Sequence, residues 1–195
     1  MMRYVIFGLL LLSLLAAGCT EKKQEQQQMP QNAPPSLMQS PHGNPNAVAG
    51  VTWVIPQGWT TMPARQMRAA TYATPPAEGD EEGGECAVFF FGSGQGGNID
   101  ANIDRWVGQF ENAGKPARST KQVNGLNVTM VQIAGAYLAP GGPMMQSQGK
   151  KENYRLLGAI VEAPEGSVFF KFTGPKKTIA ARESDFNMII NSLTK

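Results

Sequence analysis

The sequence predicts an α+β fold in which helices pack on a largely antiparallel sheet. Strand-like segments follow one another through hairpin turns, with Asn124-Gly125 and residues 163–166 as the turn sequences. Two further segments have apolar residues at helical spacing, one near the middle of the chain and one at its end. Hairpins joining neighbouring strands favour antiparallel pairing, and the two amphipathic segments supply the helices that cover the sheet.

The first part of the folded region contains three predicted strands. Residues 51–55 form the first strand, which ends at Pro56, and residues 69–73 form a second one. Residues 86–91 are apolar on both faces, as is typical of a central buried strand. Residues 75–84 combine acidic residues with Pro and Gly, which predicts a solvated loop.

A helix is predicted to follow the third strand. Asn98 is a suitable N-cap, Asp100 lies in the first turn, and Gly114 and Pro116 are expected to end the helix. The apolar stripe of this helix contains Ile99, Ile103, Trp106, Val107 and Phe110.

Two hairpins and a terminal helix complete the predicted order. The predicted strand pairs are residues 119–123 with 126–138 and residues 154–161 with 168–172. Residues 139–153 form a polar loop rich in Pro, Gly and Met, and Pro175 is well placed to begin the last helix. The stripe of that helix contains Ile179, Arg182, Phe186, Ile189, Ile190 and Leu193.

The N-terminal residues are similar to the signal of a bacterial lipoprotein. Arg3 precedes an apolar run at residues 4–17, which is shorter than the ~20 residues that a membrane-spanning helix needs. Leu-Ala-Ala-Gly-Cys at residues 15–19 resembles a lipobox, whose cysteine is lipidated and becomes the mature N-terminus. We therefore expect residues 1–18 to be a signal peptide and Cys19 to carry fatty acids such as palmitate.

The rest of the chain divides into a tether and a domain. Residues 19–49 are rich in Gln, Pro, Asn and Ser, and such a composition predicts disorder. Residues 50–195 have the size of one domain with one core. A lipid anchor places this domain at a membrane of the bacterial cell envelope, facing the periplasm or the exterior. Thr20 after the cysteine favours the outer membrane if the cell is Gram-negative.

The charge of the chain excludes one class of partner, and the sequence around Cys86 indicates the state of its thiol. The net charge is +2 and no segment concentrates basic residues, so nucleic acid is not an expected partner. Cys86 lies in an apolar run, which predicts a buried and unreactive thiol.

The sequence Gly-Ser-Gly-Gln-Gly-Gly at residues 92–97 fits the glycine pattern of a dinucleotide-binding turn. The next predicted strand, residues 119–123, ends without the acidic residue that binds ribose, and no Gly-Lys-Ser/Thr follows the glycines. One interpretation is a flexible connection whose glycines permit positive φ. The other is a weak anion or small-ligand loop at the helix N-terminus. Its residues would be Gly92, Gly94, Gly96, Gly97 and Asn98.

No catalytic residue, metal site or cofactor is expected. His42, the one histidine, lies in the tether, so the domain has no Ser-His or Cys-His pair and no histidine ligand. Lysine or carboxylate chemistry stays open. The acids at positions 78, 80, 81, 82 and 85 lack the spacing of a calcium loop, and Met144-Met145 lacks a copper-binding pattern. Trp53 and Trp59 are either core residues or an exposed recognition patch.

Residues 50–195 resemble a known group of domains. Val-Ile-Pro-Gln-Gly-Trp at residues 54–59 looks like the opening of PsbP-like (Mog-type) domains. Phe-Phe-Phe-Gly at residues 89–92, running into Asn-Ile-Asp-Arg-Trp at residues 102–106, is similar to uncharacterised bacterial lipoproteins with such a domain. Phe-Lys-Phe-Thr-Gly-Pro at residues 170–175 belongs to the same pattern.

The resemblance implies an α/β/α sandwich around an antiparallel sheet and a non-catalytic role in protein binding or assembly support. It implies no site residue. We therefore expect a lipid-anchored envelope protein that binds another, unidentified envelope protein. The alternative is a module that binds a small ligand or anion through residues 92–97 and the N-terminus of the following helix.

Overall fold

The computed structural model describes residue 44, residues 46–139 and residues 149–195. In these residues ten strands and three helices follow the order β1 (Ala47–Val48), β2 (Val51–Thr52), β3 (Thr60–Thr61), β4 (Ala70–Thr74), β5 (Gly84–Phe90), α1 (Ile99–Val107), β6 (Phe110–Glu111), β7 (Ala117–Val123), β8 (Leu126–Leu138), β9 (Lys150–Ala163), β10 (Gly166–Pro175), α2 (Lys176–Ala181) and α3 (Glu183–Asn191). The fold is α+β, as predicted.

Eight of the described strands form one antiparallel sheet. Its order is β3-β4-β5-β10-β9-β8-β6, with β7 also paired to β8. The first two strands, β1 and β2, form a separate hairpin. A β-bulge interrupts the pairing of β8 with β9 between Gly135 and Tyr137. The pairing register before the bulge therefore differs from the register after it.

Helices cover both faces of the sheet, which gives the expected α/β/α layers. Phe186 and Ile190 of α3 pack on one face against Tyr72, Phe170 and other buried residues. Trp106 of α1 packs on the opposite face against a second cluster that includes Phe169. Since side chains alternate along each strand, consecutive residues of one strand point into the two different cores on opposite faces of the sheet.

Both predicted hairpin turns are confirmed. Asn124 and Gly125 have φ of 48° and 78°, the double positive φ of a two-residue type I′ turn between β7 and β8. Gly166 pairs with Ala163 across the turn between β9 and β10. Both hairpins are longer than predicted. In the first, β7 begins at Ala117 rather than at residue 119, and in the second, β9 begins at Lys150 rather than at residue 154.

The predicted ends of the first strand and of the middle helix are wrong. The first strand ends at Thr52, because the following residues turn to bury Trp53, whose backbone N–H donates to the carbonyl of Asn46. The middle helix ends at Val107, where Gly108 is the C-cap. Phe110 therefore leaves the helical stripe and pairs with Tyr137 in the sheet.

The terminal helix is two helices rather than one. It breaks at Arg182, which has φ −109° and ψ 10° and ends α2 while preceding α3. Pro175 precedes α2 as predicted. The buried residues of the predicted stripe nevertheless lie on the sheet, since Ile179 of α2 and Ile189 of α3 share one core.

The described structure includes residues before position 50. Val48 pairs with Val51, and the side chain of Ala49 is buried. Cys19, the signal segment and Met144-Met145 lie outside the described residues. Among the described helices, none has both the length and the apolar character needed to span a membrane.

Candidate functional site

The glycine loop, residues 92–97, connects β5 to α1. Gly92, Gly94, Gly96 and Gly97 have φ of 101°, 69°, 90° and 78°, so four of its six residues occupy the left-handed region that favours glycine. Asn98 caps the helix as predicted, because its Oδ1 accepts a hydrogen bond of 2.8 Å from the backbone N–H of Ala101.

A buried asparagine holds this loop against the helix. The Nδ2 of Asn102 donates to the carbonyl oxygens of Gly96 at 2.7 Å and Asn98 at 2.9 Å, and its Oδ1 accepts from Arg105 at 3.1 Å. A Cβ on Gly96 would lie 3.0 Å from the rings of Phe91 and Phe169, so the close approach needs glycine. The positive φ values and the close contact at Gly96 therefore explain why several positions of this loop are occupied by glycine.

A shallow, open depression of about 390 Å³ lies beside the loop. It is lined by Phe91, Gln95, Gly96 and Arg105. Arg105 could attract an anion there, whereas the Asp100 carboxylate in the first helical turn opposes one. Of the predicted ligand residues, Gly96 lines the depression beside Arg105, whereas Gly92, Gly94, Gly97 and Asn98 do not. The Asn98 side chain already occupies one of the helix N–H groups.

The acidic segment has structural contacts. Asp80 Oδ2 accepts hydrogen bonds from the backbone N–H and the hydroxyl of Thr178 at 2.8 and 2.7 Å, near the start of α2. Glu82 Oε2 accepts from Lys151 at 2.5 Å and Tyr154 at 2.6 Å. Among the described residues, no three His, Cys, Asp or Glu side chains are grouped so that they could hold a metal ion.

Trp53 and Trp59 belong to the core. Their exposures are 3% and 9%, which excludes an exposed aromatic patch at these positions. Trp53 Nε1 donates to the Tyr72 hydroxyl at 2.9 Å, and Tyr72 donates to Asn46 Oδ1 at 2.7 Å. Trp59 Nε1 donates to Asp185 Oδ2 at 3.2 Å, which ties the loop before β3 to α3.

Cys86 is buried, as predicted. It lies in β5 with 0% exposure. Burial raises the pKa of its thiol, and the nearby charge of Glu85 raises it further. The thiolate is therefore disfavoured, and the side chain serves as packing.

A polar site that the sequence did not predict is centred on Lys171 in β10. Lys171 lies opposite Ala87 of β5 and Gly158 of β9, on the sheet face that α1 covers in part. Its Nζ donates to Gln109 Oε1 at 2.5 Å and to the Tyr137 hydroxyl at 3.2 Å. The ammonium also lies 5.3 Å from the centre of the Tyr137 ring, a cation–π distance.

Aromatic and charged side chains surround this lysine. The rings of Tyr137 and Tyr154 are stacked, with centroids 5.7 Å apart and planes 4° apart. Burial raises the pKa of Tyr137 to about 12. Arg68 lies over the Phe89 ring at 5.7 Å. We refer to Arg68, Gln109, Tyr137, Tyr154 and Lys171 as the Lys171 cluster.

The charge of Lys171 is poorly solvated. Burial, together with the positive charge of Arg68, lowers the pKa of its ammonium to about 8, although Glu85 acts in the opposite direction. Among the described residues, no carboxylate lies within 4.0 Å of its Nζ. A strongly perturbed lysine in a polar cluster is typical of functional sites, although structural clusters also produce it.

One sequence signal could have indicated this site. Lys171 stands between Phe170 and Phe172 in a segment that is otherwise apolar. Its neighbours face the core beneath α2 and α3, so the lysine must face the opposite side of the sheet. Its partners could not be identified, because Gln109 and Tyr137 are 62 and 34 residues away in sequence.

No protein-family model matches the sequence, and no curated protein matches it. The structure is similar to the solution structure of cyanobacterial PsbP (CyanoP) from Synechocystis sp. PCC 6803. The identity is 8% and the TM-score 0.49, with 75% of this chain and 86% of that chain covered.

The structure is also similar to a protein of unknown function, PA94, from Pseudomonas aeruginosa. The identity is 10% and the TM-score 0.39, with 76% of this chain and 85% of that chain covered. The first of the two carries the name of the PsbP-like group that the sequence motifs resemble.

Proposed function

We propose that this protein is a bacterial envelope lipoprotein, anchored through Cys19, whose folded domain binds another protein without catalysing a reaction. The anchor rests on Leu-Ala-Ala-Gly-Cys at residues 15–19. At ~5–6 Å × √n, a flexible tether of about thirty residues would allow the domain to work roughly 30 Å from the membrane.

The Lys171 cluster is the observation that supports a binding role. It combines the ammonium of Lys171 with the stacked rings of Tyr137 and Tyr154, which lie on the neighbouring strands β10, β8 and β9. Gln109, in the segment after α1, and the guanidinium of Arg68, before β4, complete it. Arginine and aromatic residues are enriched in protein interfaces and dominate their binding energy. Arg68, Gln109 and Lys171 are partly exposed, whereas Tyr137 and Tyr154 are buried and fix the cluster to the sheet. The partly exposed cations on a rigid sheet are therefore suited to hold a partner in a fixed orientation.

Two features support a non-catalytic domain. The one histidine of the chain is His42, before the domain, which leaves no histidine to act as a general base there. The thiol of Cys86 is buried and its pKa is raised, which disfavours a nucleophilic role. Turnover of any substrate by the purified protein on a broad hydrolase panel would contradict this part of the proposal.

Two experiments test the anchor and the partner separately. Cys19→Ser should move the protein from the membrane fraction to the soluble fraction, and its retention in the membrane would contradict lipidation. In-cell cross-linking of the intact protein with an amine-reactive reagent, followed by mass spectrometry, should capture one recurrent envelope protein. Capture of abundant background proteins alone would contradict the binding role.

The glycine loop supports a second candidate, the binding of a small ligand or anion. The supporting observation is Arg105 beside Gly96 in an open depression. Inorganic phosphate and sulfate are suitable probes. They should raise the melting temperature of the wild-type protein and leave that of Gly94→Val unchanged. If neither anion raises the wild-type melting temperature at millimolar concentration, the loop is a structural connection only.

A further inference from the structure

The hydrogen bonds that Lys171 makes to the described residues leave its charge uncompensated. An ammonium has three N–H donors, and in this part of the chain its acceptors are the neutral Gln109 amide and the neutral Tyr137 hydroxyl. The side chain is only partly exposed to solvent. A cation removed from water without a carboxylate partner is costly unless something else neutralises it.

The charged residues around Lys171 add to the excess of positive charge. Arg65 and Arg68 both bind Glu85, with distances of 2.9 and 2.8 Å, so one carboxylate serves two guanidinium groups. Glu82 is already paired with Lys151 at 2.5 Å. The local balance around Lys171 is therefore positive.

A second polar group beside Lys171 also lacks a partner. The hydroxyl oxygen of Thr173 is buried and has no hydrogen-bond partner among the described residues. Thr173 is two residues from Lys171 in β10 and lies opposite Glu85 in β5. Its side chain shares the face of Lys171, because residues two apart in a strand point to the same side.

We propose that Lys171 receives the carboxylate of an aspartate or glutamate side chain of the protein partner. This inference rests on the proposed binding function and names the chemistry of its contact. The excess positive charge selects an acidic group, and the partly exposed Phe89 provides aromatic contact area on the same face of the sheet, while Tyr137 and Tyr154 are buried. A carboxylate at the N–H donor of Lys171 that has no acceptor among the described residues would complete its hydrogen bonds and neutralise its charge.

Zero-length cross-linking with a water-soluble carbodiimide tests this contact directly in cells that express the full lipidated protein. The carboxylate and a proton add to the carbodiimide and give an O-acylisourea. The neutral amine of Lys171 attacks its acyl carbon, an amide bond forms, and the acyl C–O bond breaks. The proton lost by the amine is taken up by the leaving group, which departs as a neutral urea. The low pKa of Lys171, about 8, increases the fraction of neutral amine at pH 7.5 compared with an ordinary lysine.

The expected product is a peptide containing Lys171 joined by an amide bond to an aspartate or glutamate of the partner captured with the amine-reactive reagent. Lys171→Met should reduce capture of that partner at least tenfold. Lys176→Met is the matched control, since it also removes one lysine but lies exposed in α2, and it should leave capture unchanged. Lys171→Arg keeps the charge and should retain part of the capture while losing the carbodiimide product.

Other outcomes would overturn the inference in distinguishable ways. If Lys171→Met melts cooperatively and captures the partner at the wild-type level, the acidic contact is wrong and the binding function stands. If Lys171 is joined only to Glu85 or to a small organic acid, the partner does not supply the carboxylate. If the wild-type protein captures no recurrent partner, the binding function and this inference fail together.

Discussion

The indole ring of Trp106 lies directly on Gly158. Gly158 is in the middle of β9, opposite Lys171 of β10 and Val131 of β8. A Cβ on this glycine would overlap Trp106 and would lie 2.7 Å from Cγ1 of Val131. The missing side chain therefore sets how closely α1 approaches the sheet, and Gln109, just after this helix, reaches Lys171 as a result.

Gly158→Ala should destabilise the protein by about 2–3 kcal/mol, because the added methyl group overpacks the contact with Trp106. Chemical denaturation followed by tryptophan fluorescence measures this change. Gly114→Ala is the matched control, since nothing lies within 4 Å of a Cβ at that position, and it should change stability by less than about 0.5 kcal/mol. Equal stability of the two variants would show that α1 does not depend on Gly158.

Gly96→Ala and Gly94→Ala should separate packing from backbone strain in the glycine loop. Both residues have positive φ, so each substitution carries a conformational cost of roughly 1 kcal/mol. At Gly96 the Cβ would also lie 3.0 Å from Phe91 and Phe169, whereas at Gly94 it meets nothing within 4 Å. Thermal unfolding should therefore show a clearly larger loss for Gly96→Ala. A larger loss at Gly94 would contradict the described loop conformation.

Lys171→Met should stabilise the isolated protein by roughly 1–2 kcal/mol at pH 7, because it removes a poorly solvated charge from the sheet face. Urea unfolding at pH 7 measures the difference between the variant and the wild type. A destabilised variant would show that the hydrogen bonds to Gln109 and Tyr137 outweigh the cost of the charge. Loss of partner capture together with higher stability would separate a binding role of Lys171 from a folding role.

The stabilising effect of Lys171→Met should disappear at alkaline pH. Well below pH 8, Lys171 is protonated in both the folded and the unfolded chain, so the full cost of its charge is present. Between pH 8 and the ordinary lysine pKa of 10.5, the unfolded chain binds more protons than the folded one, so wild-type stability rises relative to the variant. Burial raises the pKa of Tyr137 to about 12, so its hydroxyl stays protonated in this range. A difference independent of pH from 7 to 10.5 would contradict the lowered pKa.

Local chemistry made part of this fold predictable. Asn124-Gly125 specifies its turn by its own backbone preferences, and Asn98 marks the start of α1 in the same way. The sequence does not indicate the end of that helix, because Phe110 fits the helical spacing although it pairs with Tyr137 in the sheet. The break at Arg182 has no Gly or Pro to signal it.

The two candidate sites differ in how far sequence could predict them. The glycine loop is contiguous, so its positive φ values could be expected from residues 92–97 alone. The Lys171 cluster joins Arg68, Gln109 and Tyr137 to β10 across long stretches of chain. Only the strand order and the register place these side chains together, and neither is encoded by a local motif.

The thiol content of the mature protein should report both the lipid anchor and the buried core. If Cys19 is lipidated, Cys86 is the one remaining thiol, and its burial and raised pKa should prevent reaction with a disulfide reagent such as Ellman's reagent under native conditions. Unfolding the detergent-solubilised protein in guanidinium chloride should release one reactive thiol per chain. Two thiols after unfolding would show that Cys19 is unmodified, and one fast thiol in the native lipidated protein would contradict the burial of Cys86. A Cys86→Ala variant identifies the source of the signal, because it should then show no thiol in either state.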